Sequence, residues 1–415
     1  MKSSMPPVFF YPLLISLLGD LVVSLLAPIL VYQYTQSLSL SGLAYAIEWL
    51  IRIVMVPLFG KLVDDSGIKK SSILFDCLKL VACLFIALIT VSGVIQSEVY
   101  FALLLAVLGG FISVANAQLI IIYEKYISEN HVYRLNIERN SVFITIADQL
   151  AMILGALIVI ASYKMLAVLF VTVILSYSVN LYFFLFIYKE ETPDASGQVS
   201  DFEDNQKHTS VQVGQLFLML FIASISVSAF FSNIIDGLVE ASGSYVIQSE
   251  NDMPIELYAL ISASAGVIGF ITSSLTQRLL SMNVRVRNIY CFSVILELIF
   301  GLLLFHYYYA FPALLIFYAF CIGSKIPRIV IMRKMRIELI PQAHFAKLSS
   351  LIVSISQSAL PVIGVLIFYS KNNTVFDIRY LVLFSSLIVF LFSLKAINLY
   401  EKHRQKVSVL EMKKA

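Results

Sequence analysis

Charge is scarce in this sequence. Only 13% of its 415 residues are Asp, Glu, Lys or Arg, against about 25% in a soluble domain. So thin a supply cannot cover a water-facing surface. The apolar content of 59% and the mean hydropathy of +0.88 equally exclude a disordered chain. Cysteine is nearly absent. Cys77, Cys83, Cys291 and Cys321 all fall in apolar runs without zinc spacing or a disulfide framework, and they read as small core hydrophobes. The five histidines form no metal-ligand cluster, no His-x-x-x-His pair occurs, and no Gly-Lys-Ser/Thr phosphate loop is present. The sequence therefore offers no catalytic residue, no cofactor and no metal site, and it speaks against a membrane hydrolase or an ATP engine.

What the chain does have is apolar runs of some 20 residues, the length of helix that spans a bilayer core. Twelve are legible, near 8–34, 40–63, 71–94, 98–124, 139–163, 165–188, 213–238, 255–280, 286–305, 309–332, 346–370 and 377–399. The first is too long for the core of a signal peptide, so it is read as a retained helix. The expected fold is an all-α integral membrane protein of twelve transmembrane helices. Residues 189–212 hold Pro193, Gly197 and a run of acidic residues, and form the single long polar connection. They divide two six-helix bundles, 1–188 and 213–400. Residues 401–415 make a basic tail suited to anionic lipid.

The halves read as pseudo-repeats. Setting Gly155 on Gly364 aligns Asp148 with Gln357, and setting Gly60 on Ser273 aligns Asp64 with Gln277. Most of the 29 Lys and Arg residues lie at one set of loops, while 240–256 carries acids and no Lys or Arg. The positive-inside rule then puts both termini in the cytoplasm. Short loops and a compact linker suggest the bacterial inner (plasma) membrane.

After the second run comes Gly60-Lys61-Leu62-Val63-Asp64-Asp65-Ser66-Gly67-Ile68-Lys69-Lys70. Gly60 allows close helix approach and Gly67 supplies a turn. Asp64 is an anion placed to meet a helix N-terminus or a basic side chain. Lys69 and Lys70 hold the loop in the cytoplasm. The stretch resembles the loop between helices 2 and 3 of the major facilitator superfamily, with Asp65 and Ile68 in place of residues that are often basic. The resemblance implies two six-helix bundles, and a latch at this loop that breaks and re-forms in each transport cycle. Ser16-Leu17-Leu18-Gly19-Asp20, Arg139-Asn140-Ser141 and Ile340-Pro341 through Lys347-Leu348-Ser349-Ser350 resemble the enterobactin-exporter and macrolide-exporter branch. Gly19-Asp20 with Gly60 through Asp64 also resembles bacterial ferroportin-like iron exporters. The proline of the antiporter signature in helix 5 is missing at Ala147 to Ala156.

An ionisable residue at mid-bilayer costs about 2.5–3.5 kcal/mol, so each needs a reason. Asp20 lies roughly 18 Å into helix 1 at 1.5 Å per residue. Glu48 and Arg52 stand one turn apart on helix 2 and are expected to pair, in one network with Asp20. Either carboxylate can serve as the proton-coupling group, and the alternative is a static pair fixing helix 1 against helix 2. Asp148, beside Gln149 in helix 5, is a further candidate for substrate or proton contact. Lys325 and Arg328 flank Pro327 and either attract an anionic substrate or snorkel to the interface. Asp76 and Lys79 read as a structural pair beside the latch. Tyr45 and Trp49 bracket Glu48 and can line a pocket for a flat ligand.

The expected function is secondary active transport by alternating access, with proton-coupled export of an amphipathic small molecule such as a siderophore or drug. The alternatives are divalent-metal export of the ferroportin kind and uptake of a metabolite or iron chelate. The expected partners are a small-molecule substrate, protons and the lipid bilayer. Nucleic acid is not among them, and the chain is expected to act as a monomer.

Overall fold

A bilayer gives backbone amides no water to bond, so each spanning segment must satisfy its own, and apolar runs become helices. The computed structural model describes all residues except 1–6, 94, 96, 131–132, 134–135, 189–214, 283, 371–378 and 413–415. The expected 189–212 linker thus lies outside the described residues. The helices are α1 (Pro7–Thr35), α2 (Leu38–Ser66), α3 (Ile68–Ser92), α4 (Glu98–Glu129), α5 (Ile137–Ser162), α6 (Leu166–Tyr182), α7 (Gln215–Tyr245), α8 (Tyr258–Ser281), α9 (Val286–Tyr307) and α10 (Phe311–Leu339). α11 (Phe345–Gln357) and α12 (Ala359–Ser370) run end to end as one span, and α13 (Arg379–Met412) completes the chain. Among the described residues there is no strand, and 12 spans are long and apolar enough to cross a membrane. The end of the molecule where α1 starts and α13 finishes is called the terminal end below.

Spans one to six and seven to twelve meet along two seams, α5 against α8 and α2 against α11 and α12. The apolar core divides into two clusters stacked along the spans. On α1 the change from one cluster to the other falls between Leu17 and Val22, and on α2 between Val56 and Tyr45. On α10 it falls between Val330 and Cys321. Asp20, Glu48, Arg52, Lys325 and Arg328 occupy those gaps. A polar layer therefore lies at mid-depth between two apolar ones.

Two helix ends differ from the expected boundaries in ways that matter. α7 continues past 238, so Glu240 is a mid-helix residue and not part of a loop. α10 continues past 332 to Leu339, so Arg333, Lys334 and Arg336 project from a helix. Their charge reads as a loop in sequence; in the structure it is matched by acids on α4 and α5.

Glu297 and Arg328 explain each other. Arg328 Nε donates to Glu297 Oε2 at 3.0 Å and Nη2 to Oε1 at 2.9 Å, while Nη2 also reaches Ser232 Oγ at 2.8 Å. Both side chains are buried, so Arg328 does not snorkel. The fork geometry joins α9 to α10, with α7 supplying the remaining partners. Removing one member of a buried pair strands the other and costs about 3–5 kcal/mol. Glu297→Ala is accordingly expected to lower the thermal stability of detergent-solubilised protein by many degrees, whereas Cys291→Ala, at a half-buried thiol, leaves it nearly unchanged. Equal melting of the two variants would show that the pair carries no stability.

Candidate substrate cavity and latch

A cavity of about 240 Å³ opens between the halves, far more than the roughly 10–15 Å³ that one water needs. It begins at mid-depth beside Leu17 and runs past Val31 and Ser41, toward the end opposite the termini. Of the sequence-predicted residues, Asp20, Glu48, Arg52 and Asp148 all line it, together with Tyr45 and Trp49. Glu240, Tyr258 and Tyr318 come from α7, α8 and α10. Lys325 does not line it. Its ammonium is held by Asp236 Oδ1 at 2.6 Å and by the Ser232 carbonyl at 3.2 Å, so neither the anion-attracting nor the snorkelling expectation describes it.

Several pairings differ from those expected. Glu48 and Arg52 do not pair. Arg52 instead turns to α4, where Nη1 donates to Ser113 Oγ at 2.7 Å, and its guanidinium lies 4.7 Å from the centre of the Trp49 ring. Spacing of one turn permits the ion pair, but an open cavity lets each side chain take other partners. Among the described residues Glu48 is in no ion pair. Arg52 Nε and Asn116 Oδ1, also at the cavity, are buried without a hydrogen-bond partner. Asp20 joins neither residue. It accepts from Lys79 Nζ at 2.6 Å and from Tyr177 Oη at 2.9 Å. Lys79 is therefore not the partner of Asp76, which accepts from Asn180 Nδ2 at 2.9 and 2.8 Å.

Glu240 is a charged cavity residue that the sequence did not point to. Tyr45 Oη donates to Glu240 Oε2 at 2.7 Å, which bonds α2 to α7 across the interface. An acid at the end of an apolar run looks like loop; only the added turns of α7 bring it inside. With Glu240, four carboxylates line the cavity against one guanidinium. Asp148 accepts from Gln149 Nε2 at 3.2 Å.

The terminal end is closed by charge. Asp64 accepts from Lys125 Nζ at 3.1 Å, and from the backbone amides of Ala346 at 3.1 Å and Lys347 at 2.9 Å. It thus meets both the basic side chain and the helix N-terminus that its sequence position suggested, the helix being α11 of the opposite half. Gly60 makes the approach possible, since a Cβ there would sit 2.4 Å from Ser350 Oγ and 2.9 Å from the Ala346 carbonyl. Gly67, at φ 78°, turns the chain between α2 and α3 in a conformation that favours glycine. Lys69 is half-buried and Lys70 exposed, and neither is in an ion pair among the described residues. Beside Asp64, Arg333 Nε and Arg336 Nη2 both reach Glu124 Oε1 at 2.7 Å, and Lys334 pairs with Glu138. Arg333 Nη1 also donates to the carbonyl of Ser141 at 2.9 Å.

Twelve spans in two halves around a polar cavity, with one end bolted by ion pairs, define a membrane transporter. The chain belongs to the Major Facilitator Superfamily, which it matches over residues 8–364. No curated protein matches its sequence. Among solved structures it is similar to a bacterial homologue of the iron transporter ferroportin in an outward-facing state with soaked iron. The two share 13% identity at a TM-score of 0.68, over 95% of this chain and 98% of that one. A second structure of such a homologue in the outward-facing state has 15% identity and a TM-score of 0.68, over 95% and 99%. The proton:xylose symporter XylE bound to 6-bromo-6-deoxy-D-glucose has 14% identity and a TM-score of 0.66, over 93% and 94%. At these identities the likeness is one of fold.

Asp64 joins the halves through a charge at a helix N-terminus, an interaction of about 0.3–2 kcal/mol. Asp64→Asn should shift the balance toward an open terminal end by up to roughly thirtyfold on that energy. Spin labels at the exposed positions Lys70 and Ala343 report it as a growing long-distance population. An unchanged distance distribution would show that Asp64 is no latch.

Proposed function

We propose that this chain is a proton-coupled secondary exporter of an amphipathic small molecule, of the siderophore or drug type, working by alternating access. The observation that carries the reading is the set of unsatisfied polar atoms at the cavity: Arg52 Nε and Asn116 Oδ1, with the Glu48 carboxylate beside them in no ion pair among the described residues. Buried polar groups without partners are costly, and a ligand bearing an amine and hydrogen-bonding atoms would satisfy all three. Tyr45, Trp49, Tyr258 and Tyr318 supply flat apolar walls. The excess of carboxylates favours a cationic, drug-like substrate over an anionic siderophore. Resemblance of helix 1 and of the Arg139-Asn140-Ser141 stretch to the enterobactin and macrolide exporters supports export.

In this reading Asp20, Glu48, Arg52 and Asp148 handle substrate and proton, and Lys325 acts away from both by fixing α10 to α7. Asp64 with Gly60, Gly67, Lys69 and Lys70 forms the latch on the cytoplasmic side of the bacterial inner membrane. Both termini face the cytoplasm, residues 1–188 and 213–400 move as separate bodies, and the protein acts as a monomer. Divalent-metal export is weighed against this. Among the described residues no three His, Cys, Asp or Glu side chains gather to hold an ion, so the cavity favours the organic substrate.

Reconstituted vesicles with an acidic interior and a trapped pH dye test the proposal. Ethidium, as a flat organic cation, should release protons from them, and Glu48→Gln should weaken its half-saturation by roughly ten- to a hundredfold, the worth of one charged contact. Proton release with iron(II) and none with ethidium or other organic amines would transfer the assignment to metal export. Silence toward all of them would overturn proton-coupled export.

A further inference from the structure

Behind Asp20, away from the cavity, lies a second group of charges that transport of substrate does not use. Lys79 and Asp76 are fully buried on α3, one helical turn apart. Lys79 donates to Asp20 on α1 and to Ser16 Oγ at 3.2 Å. Its ammonium also lies 5.2 Å from the centre of the Tyr177 ring. Asp76 makes no ion pair among the described residues. Its contact is with Asn180 on α6, whose single amide nitrogen serves both carboxylate oxygens. Asn180 Oδ1, a buried acceptor right beside them, has no hydrogen-bond partner. The phenols of Tyr123 on α4 and Tyr177 on α6 are near enough to sense the charge of Asp76. With Asp20 and Lys79 they are the titratable groups that act on it among the described residues.

Two features of this arrangement point the same way. Of two carboxylates buried in an apolar bundle only Asp20 holds the ammonium, so among the described residues Asp76 is buried without a cation bound to it. In addition, an acceptor without a donor sits against a carboxylate that has no proton to give. One proton on Asp76 removes both faults. The cluster becomes neutral, and after a small rotation of the Asn180 amide the acid O–H donates to Oδ1 while Nδ2 donates back, a closed acid–amide pair. We propose that Asp76 holds the transported proton, in the form of a neutral carboxylic acid, when the terminal end is closed.

Transfer to the cavity follows from the positions. The Lys79 ammonium gives a proton to Asp20 and takes the one on Asp76, so that Lys79 remains a cation and the cluster remains neutral. Asp20 becomes the acid and Asp76 the carboxylate, now paired with Lys79 along α3. Because Asp20 lines the cavity and Asp76 does not, only Asp20 exchanges its proton with cavity water. Asp76 is the store and Asp20 the port. The use of the proton in transport rests on the proton-coupled export proposed above; its location does not.

Infrared spectroscopy of the purified full-length protein at neutral pH reads the site without any substrate. A carboxylic-acid carbonyl band, shifted by labelling aspartate carboxyls with carbon-13, is expected in the wild type and should vanish in Asp76→Asn. Asp20→Asn should remove it too, since Lys79 then turns to Asp76 and displaces its proton, an effect that a merely structural aspartate would not show. A band that persists in Asp76→Asn, or a wild type without a labelled acid band, would overturn the assignment. The labelled wild type remains decisive on the second point even if a variant fails to fold. In vesicles, Asp76→Asn should keep ethidium exchange at equal pH yet lose accumulation driven by a pH gradient. Retained gradient-driven accumulation would equally overturn it. A labelled acid band at Asp76 in a wild type that moves no protons would leave the site standing and remove proton-coupled export.

Discussion

A charge placed midway through an apolar layer must find a partner, and the whole arrangement of this molecule follows from that requirement. Each half answers it in the same way, with each buried cation drawing a carboxylate from a neighbouring helix. In the first half Lys79 on α3 ties α1 and α6 together through Asp20 and Tyr177. In the second, Lys325 and Arg328 on α10 tie α7 and α9 together through Asp236 and Glu297. The apolar clusters above and below leave these pairs little freedom to hydrate. Among the buried polar atoms left without a partner, Arg52 Nε and Asn116 Oδ1 lie at the cavity.

The cavity and the terminal end are built on opposite principles. At the terminal end the acids take more than one donor: Asp64 takes Lys125 and two backbone amides, and Glu124 takes Arg333 and Arg336. Apart from Asp64–Lys125, which ties α2 to α4 within the first half, these contacts join the two halves, and none of them lines the cavity. At the cavity, Arg52 Nε and Asn116 Oδ1 lack partners and Glu48 is in no ion pair among the described residues. A ligand there gains what the protein itself lacks, which gives binding a reason to alter how the halves meet.

Spans, latch loop and the set of membrane-embedded charges were legible in the sequence, because length, glycine spacing and the rarity of charge are one-dimensional signals. Asp64 could be assigned its two kinds of partner in advance, since a turn after a span sends an anion toward whatever helix begins nearby. Pairing was not legible. Asp76 and Lys79 satisfy a local spacing rule, yet Asp20 on another helix offers the ammonium a better-placed oxygen. Glu48 and Arg52 satisfy another, yet the Trp49 ring and Ser113 take the guanidinium. Glu240 was hidden because the apolar run thins out after Leu238 into a stretch of acids and small polar residues that reads as loop, whereas a helix facing a polar cavity carries such residues within it. The basic end of α10 was hidden in the same way, because its matching acids lie some two hundred positions earlier in the chain, at Glu124 and Glu138.

Among the described residues the far end of the α2 seam has no such ion pairs. There α2 and α12 touch backbone to backbone, where a Cβ on Gly42 or Gly364 would lie 2.8 or 2.6 Å from the other's carbonyl. The two doors of the molecule therefore obey different mechanics. The charged door can come apart one bond at a time, and salt on that face of the membrane loosens it. The contact of Gly42 with Gly364 itself has no side chain to swing and no charge to screen. It yields only when two whole helices part, so it is indifferent to ionic strength and behaves as a single step.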